Sequence, residues 1–150
     1  MSLDIGTTLP QFSLKDQYGN DFSVTELKGK NPIVIYFYPK NFTPGCTKEA
    51  CSFRDAFQDF SDEGAIVIGI SSDSEASHKK FASRYNLPFT LLADSNKKVR
   101  KMFGVKNSML GLLPGRETFV FNDNGELTFK FNSIGAEDHI KKALRHLKKS

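Results

Sequence analysis

The stretch Ile33-Val34-Ile35-Tyr36-Phe37-Tyr38-Pro39-Lys40-Asn41-Phe42-Thr43-Pro44-Gly45-Cys46 decides how the chain is read. Its opening is an unbroken apolar run over Ile33–Tyr38, the pattern of a strand buried on both faces. Thr43 and Pro44 then mark a helix start. Threonine is a good N-cap, and proline at the first helical position gives up an N–H that has no partner there anyway. Cys46 falls in the first helical turn, where unpaired backbone N–H groups and the positive end of the helix dipole converge. Both favour a thiolate, the reactive form of cysteine. The Thr43 hydroxyl can turn toward the sulfur or toward an incoming oxygen. The competing reading of Cys46 is an inert core residue, since cysteine is often buried. The cap, the proline and the helix-start position favour the reactive reading.

Outward from this stretch the order of elements becomes clear. The helix is predicted to reach Phe60, with Ala50, Phe53, Phe57 and Phe60 inward. Ala65–Ile70 reads as a second buried strand, and a helix follows over about Glu75 to Tyr85 with Phe81 inward, ended by Leu87-Pro88. Phe89–Ala93 reads as a short strand and Asn96–Phe103 as a short helix. Upstream, Phe12–Lys15 and Asp21–Val24 are short strands across the turn Gln17–Asn20. Downstream, Glu117–Phe121 and Leu127–Phe131 flank Asn122-Asp-Asn-Gly125, the clearest hairpin signal in the chain. A last helix runs from about Glu137 to Lys148. Strand–helix–strand units imply parallel pairing with right-handed crossovers, and the closing hairpin adds antiparallel strands. The expected fold is α/β and thioredoxin-like, a mixed central sheet flanked by helices with an N-terminal hairpin extension. With 150 residues and no visible linker or repeat, a single domain over 1–150 is expected.

Composition narrows the function classes. Apolar residues make up 39% and charged residues 25%, an ordinary globular balance. No apolar run approaches the ~20 residues a membrane helix needs. The opening Met1–Phe12 lacks a basic segment followed by an apolar one, so no signal peptide is visible and a cytoplasmic protein is expected. The net charge of +4 is mild, and much of it sits in Lys141, Lys142, Arg145, Lys148 and Lys149. Without interleaved aromatics to stack bases, these read as the solvated face of the last helix, whose inner face is Ile140, Ala143, Leu144 and Leu147. No nucleic-acid or membrane partner is expected.

The two cysteines, Cys46 and Cys51, lie close together in sequence, which suggests metal binding or redox chemistry rather than a staple. A zinc site is poorly supported: two cysteines are half a tetrahedral set, and His78, His139 and His146 lie far off, each expected at the surface. No local histidine signature marks a Cys–His hydrolase. In an ideal helix the Cα atoms of Cys46 and Cys51 stand ~8.6 Å apart, beyond the ~7 Å a disulfide tolerates. A bond between them therefore requires the first turns to unwind, with a helical reduced form and a locally unfolded oxidised form. Cys51 reads equally well as a core residue. Glu49 either pairs with a cation or is solvated. Arg116, Arg54 and Lys48 are the cations that could meet a thiolate, and spacing does not choose among them.

At this point the chain resembles a known family. Pro39-x-x-x-Thr43-x-x-Cys46 is the signature of peroxiredoxins, and Thr43-Pro-Gly-Cys-Thr-Lys-Glu-Ala-Cys51 is similar to the bacterioferritin-comigratory (Q-type) subgroup. Arg116-Glu-Thr-Phe-Val-Phe121, Gly6-x-x-Leu-Pro-x-Phe12 and Gly64-Ala-Ile-Val-Ile-Gly-Ile-Ser-Ser-Asp73 agree with it, so the likeness covers nearly the whole chain. The resemblance implies that Cys46 attacks the peroxide and Cys51 resolves the product. Thr43 and Arg116 would position the peroxide and stabilise the thiolate, and Pro39 would shield the site. It implies a hydroperoxide substrate, thioredoxin or a similar dithiol as reductant, no metal or organic cofactor, and a monomer or weak homodimer. Glu117 departs from the pattern, because a small Ser or Ala commonly follows the arginine. The apolar stretch Met109–Leu113 is also unusual, as a docking patch or as a packed loop. Two other functions stay in view: a thiol–disulfide oxidoreductase, which would usually carry Cys-x-x-Cys, and a peroxide-sensing redox protein.

Overall fold

A computed structural model describes residues 3–27, 29–105, 107–108, 113–114, 116–132 and 136–148. In chain order the elements are β1 (Ser13–Asp16), β2 (Asp21–Ser23), β3 (Ile33–Phe37), α1 (Pro44–Asp55), α2 (Phe57–Asp62), β4 (Ile66–Ser71), α3 (Glu75–Tyr85), β5 (Thr90–Ala93), α4 (Lys98–Phe103), β6 (Asn107–Ser108), β7 (Leu113–Pro114), β8 (Glu117–Phe121), β9 (Leu127–Asn132) and α5 (Ala136–Lys148). Seven strands form one sheet in the order β2-β1-β5-β4-β3-β8-β9, while β6 and β7 pair separately. β3, β4 and β5 run parallel, and the pairs β1–β2, β1–β5, β3–β8 and β8–β9 are antiparallel. The expected mixed α/β sheet and the N-terminal hairpin are both present.

Alternation along β3 divides the core into two layers. Val34 and Tyr36 pack with Cys46, Ala50, Phe53, Phe60, Phe81, Ile140, Ala143 and Leu147 from the helices on one face. Ile33, Ile35 and Phe37 pack with Ile68, Ile70, Val99, Phe103, Phe119 and Phe121 on the other. β3 is buried throughout because both layers cover it, which is why its sequence runs apolar without a break. Tyr36 stacks on Phe53 with ring centroids 4.5 Å apart. It also lies so close to Gly69 of the adjacent strand that a Cβ there would meet its ring atoms at 2.8 Å, so only glycine fits.

Three expectations are corrected. The helix read as continuous to Phe60 breaks at Ala56, where ψ of 4° leaves the helical range. The break turns Phe60 into the core, and no glycine or proline announces it. His78 and His139, expected at the surface, are fully buried. His78 is satisfied there by Asn41 Nδ2, 2.9 Å from its Nδ1, and by the Leu92 carbonyl, 2.9 Å from its Nε2. On α5 the reading holds: Ile140, Ala143 and Leu147 are buried, while Lys141, Lys142, Arg145 and Lys148 face solvent. Lys149 and residues 109–112 of the apolar stretch lie outside the described residues.

Candidate active site

The loop after β3 is braced before it reaches α1. The Asn41 backbone N–H donates to Asp73 Oδ2 at 2.8 Å, and Asp73 also accepts from the Ser71 hydroxyl at 2.7 Å. The Tyr38 hydroxyl donates to Asn41 Oδ1 at 2.6 Å. The loop after β4 thus fixes the loop that delivers the helix. Phe42, the residue before the N-cap, holds a left-handed φ of 65°, and its ring packs edge-on to Phe81 at 5.1 Å.

Thr43 occupies the N-cap position with extended backbone, but its side chain does not cap the helix. Its hydroxyl instead donates to the Lys40 carbonyl at 2.7 Å. This corrects the expectation of a capping threonine. The bond commits the hydrogen backward along the loop and leaves the oxygen's lone pairs to accept. Pro44, Gly45 and Cys46 follow as the first three helical residues. The Cys46 sulfur is buried at the floor of a cavity of about 530 Å³ lined by Pro39, Lys40, Thr43, Cys46, Ser72, Asp73 and Arg116.

Arg116, just before β8, is the cation that reaches the sulfur: its NH2 group donates to Cys46 Sγ at 3.5 Å. Its NH1 group is ion-paired with Glu49 Oε1. Burial disfavours the guanidinium charge, but Glu49 and Cys46 outweigh it and hold the arginine's pKa above its ordinary value. Arg54 is engaged elsewhere, donating to the Tyr85 carbonyl at 2.8 Å, and Lys48 is exposed. Gly45 permits the approach of Arg116, since a Cβ there would meet its NH2 group at 3.0 Å.

Glu49 is fully buried, which decides between the two readings left open for it. Burial pushes its carboxyl up to about 8, against the opposing pull of Arg116. Its second oxygen, Oε2, has no hydrogen bond and lies 4.0 Å from His139 Nδ1 of α5. That nitrogen is 2.7 Å from Thr118 Oγ1 on β8. Glu117, the departure from the expected pattern, points to the opposite face of the sheet, where its charge favours that of Arg100. Arg100 itself lies over the Phe37 ring, 5.8 Å from its centroid.

Cys51 is half-buried further along the intact α1, and both thiols are free. The helical form of segment 46–51 is the one expected of reduced protein. Pro39, Thr43, Cys46 and Arg116 are therefore brought together, and Cys51 is held apart. Sequence reasoning missed Gly45, Thr118 and His139. The position of Glu49, on the inner side of α1 with Ala50 and Phe53, was the one signal that favoured burial for it.

Fold and site together define a thioredoxin-fold protein built around one buried cysteine in contact with arginine. Residues 5–130 match the AhpC/TSA family. The chain is 52% identical over 143 residues to the chloroplastic peroxiredoxin Q of Sedum lineare, covering 95% of this chain and 76% of that protein. It is 51% identical over 144 residues to the chloroplastic peroxiredoxin Q of Arabidopsis thaliana, covering 95% and 66%. It thus spans between about two thirds and three quarters of these plant relatives. Among solved structures it resembles peroxidoxin BcpB of Mycobacterium tuberculosis, with a TM-score of 0.89, 37% identity and coverage of 98% of this chain and 97% of that one. It also resembles a cysteine-to-serine mutant of PrxQ from Xylella fastidiosa, with a TM-score of 0.91, 26% identity and coverage of 99% and 98%.

The chain belongs to the AhpC/TSA family and is a peroxiredoxin of the Q type, a thiol-dependent peroxidase. The plant relatives overturn the cytoplasmic expectation: those proteins are chloroplastic. That expectation rested on the lack of a visible leader, a feature that does not separate one compartment from another.

Proposed function

We propose that Cys46 is the peroxide-attacking cysteine, Cys51 the resolving one, and Thr43, Arg116 and Pro39 the groups that receive the substrate. The contact between the Arg116 guanidinium and the Cys46 sulfur at the cavity floor carries this reading. A fixed cation beside a thiolate holds its charge, and a guanidinium presents further donors to peroxide oxygens. The Cys46 sulfur attacks the terminal oxygen, the O–O bond breaks, and the other oxygen leaves as water or alcohol once protonated. The product is a sulfenic acid. Cys51 then condenses with it, releasing water and forming a disulfide, and an external dithiol restores both thiols by exchange. The donation of the Thr43 hydroxyl to the Lys40 carbonyl leaves its oxygen able to accept, which supports a role in taking the hydrogen of the incoming peroxide. Pro39 forms one wall of the cavity.

A cavity of about 530 Å³ has room for an alkyl chain, which supports organic hydroperoxides beside hydrogen peroxide as substrates. The chloroplastic relatives support a plastid setting, and the dithiol in this reading is thioredoxin or a similar protein. The large exposed apolar side chains among the described residues are Ile5, Tyr18, Phe42 and Met102, on four separate segments, which supports a monomer or weak homodimer.

Peroxide consumption with thioredoxin, thioredoxin reductase and NADPH tests the cycle. Wild type is expected to turn over, Cys46→Ser to be inactive, and Cys51→Ser to react once and then stall. Activity retained in Cys46→Ser would put the chemistry elsewhere. A single turnover by wild type would favour a peroxide sensor or another reductant.

A further inference from the structure

Behind the sulfur and its arginine lies a second tier of polar groups, all buried and drawn from three elements. Glu49 comes from α1, Thr118 from β8 and His139 from α5, and each is fully buried. The order of contacts runs from Cys46 Sγ to the Arg116 guanidinium, to Glu49 Oε1, then across from Glu49 Oε2 to His139 Nδ1, and on to Thr118 Oγ1. Two features make this more than incidental packing. A buried carboxyl oxygen without a hydrogen bond is costly, and an imidazole nitrogen lies 4.0 Å from it. The imidazole is itself held, by the Thr118 hydroxyl at 2.7 Å and by the edge-on ring of Phe131, whose centroid is 4.8 Å from its own.

We propose that His139, held by Thr118, is a positioning residue of the peroxide site: it orients Glu49, and through Glu49 keeps Arg116 beside the Cys46 sulfur. The inference rests on the reading of Cys46 as the reactive thiol. Arg116 has one guanidinium, shared between the Cys46 sulfur and Glu49 Oε1. If Glu49 swings, it takes the fork of Arg116 with it and the donor to sulfur is lost. His139 Nδ1 limits that swing from the side opposite Arg116. Glu49 also acts on Tyr36 of β3 and on Tyr38 just beyond it, whose pKa values are pushed well above their ordinary range by burial, so they stay neutral. Loss of His139 is expected to change not only the rate at Cys46 but its dependence on pH.

The test uses the full chain in a Cys51→Ser background, so that Cys46 is the one thiol. The pH profile of iodoacetamide alkylation and the rate of oxidation by hydrogen peroxide are measured for wild type, His139→Gln, His139→Leu, Thr118→Val and Leu147→Ala. Leu147 is buried on the same helix eight residues beyond His139, so its variant reports general destabilisation of α5. His139→Leu is expected to slow peroxide oxidation about tenfold or more and to shift the midpoint of alkylation, because small displacements in a positioned site carry such penalties. Thr118→Val should shift both in the same direction by less, and His139→Gln, which keeps a side-chain donor, should recover most of the rate. Leu147→Ala should lower the melting temperature and leave the midpoint in place. Unchanged rate and midpoint in both His139→Leu and Thr118→Val would overturn the proposal, as would a Leu147→Ala variant that shifts both to the same extent. If wild-type Cys46 alkylates with a resolved pH profile but ignores peroxide, the functional reading fails instead, and the alkylation series still judges His139.

Discussion

Gly45 shows how much a single position can carry. It lacks a side chain where the Arg116 guanidinium passes over the start of α1, at a distance a Cβ would reduce to 3.0 Å. Gly45→Ala is expected to displace the guanidinium and slow Cys46 oxidation by about tenfold. Stability should hold or rise, since alanine is favoured over glycine in a helix by up to ~1 kcal/mol. Stopped-flow oxidation and thermal melts on the same samples separate the two effects. Glu49 makes a second prediction. Its folded pKa of about 8 stands above the ordinary carboxylate value of 4.5, so folded protein binds a proton that unfolded protein has lost. That contribution is complete below the unfolded value and is lost as pH rises through the folded one. Wild-type melting temperature, measured from pH 5 to pH 8.5, should therefore fall relative to Glu49→Gln, and parallel curves for the two proteins would refute the burial argument. The placement of Thr43 and Cys46 at the start of α1 was legible because helix-start chemistry is local, whereas Pro39 entered through the resemblance alone. The roles of Glu49 and His139 were not legible, because which side of a helix meets which strand is a long-range matter.

At the scale of elements, the proposed mechanism falls on α1. It is intact from Pro44 to Asp55 with both thiols inside it, and an ideal helix holds those Cα atoms too far apart to bond. Stoichiometric peroxide should therefore lower the helical circular dichroism of wild type and leave Cys51→Ser unchanged. Amide hydrogen exchange should locate the loss at 46–51. The strands and hairpins were legible because alternation and the Asn-Gly turn are strong local signals. The interruption at Ala56 was not, since its flanking residues are ordinary helix formers and the bend answers the packing of Phe60 rather than any breaker.

For the whole molecule, the sheet's two layers set the tolerances. Tyr36 stacks between Phe53 and Tyr38, yet its hydroxyl is buried without a hydrogen bond. Tyr36→Phe removes that unsatisfied group and is expected to raise stability by about 1 kcal/mol in denaturant unfolding. Gly69→Ala, which drives a methyl into the same ring, should lower it by about 1–3 kcal/mol. The class of fold followed from element order, whereas the joining of the N-terminal hairpin to β5 did not, because antiparallel partners distant in sequence leave no mark in either strand.

Glu49 lies between the two cysteines, inside the segment that must unwind. Forming the proposed disulfide would therefore drag a carboxyl away from its guanidinium and empty part of the core. Reducing it lets both return. The work of rewinding α1 is added to the driving force of the reductant's step, and each ~1.4 kcal/mol of it raises the two-electron reduction potential by about 30 mV. An oxidised protein of the proposed kind is thus expected to be an electrochemically tense state that surrenders its disulfide readily, so that a weak dithiol would reset it.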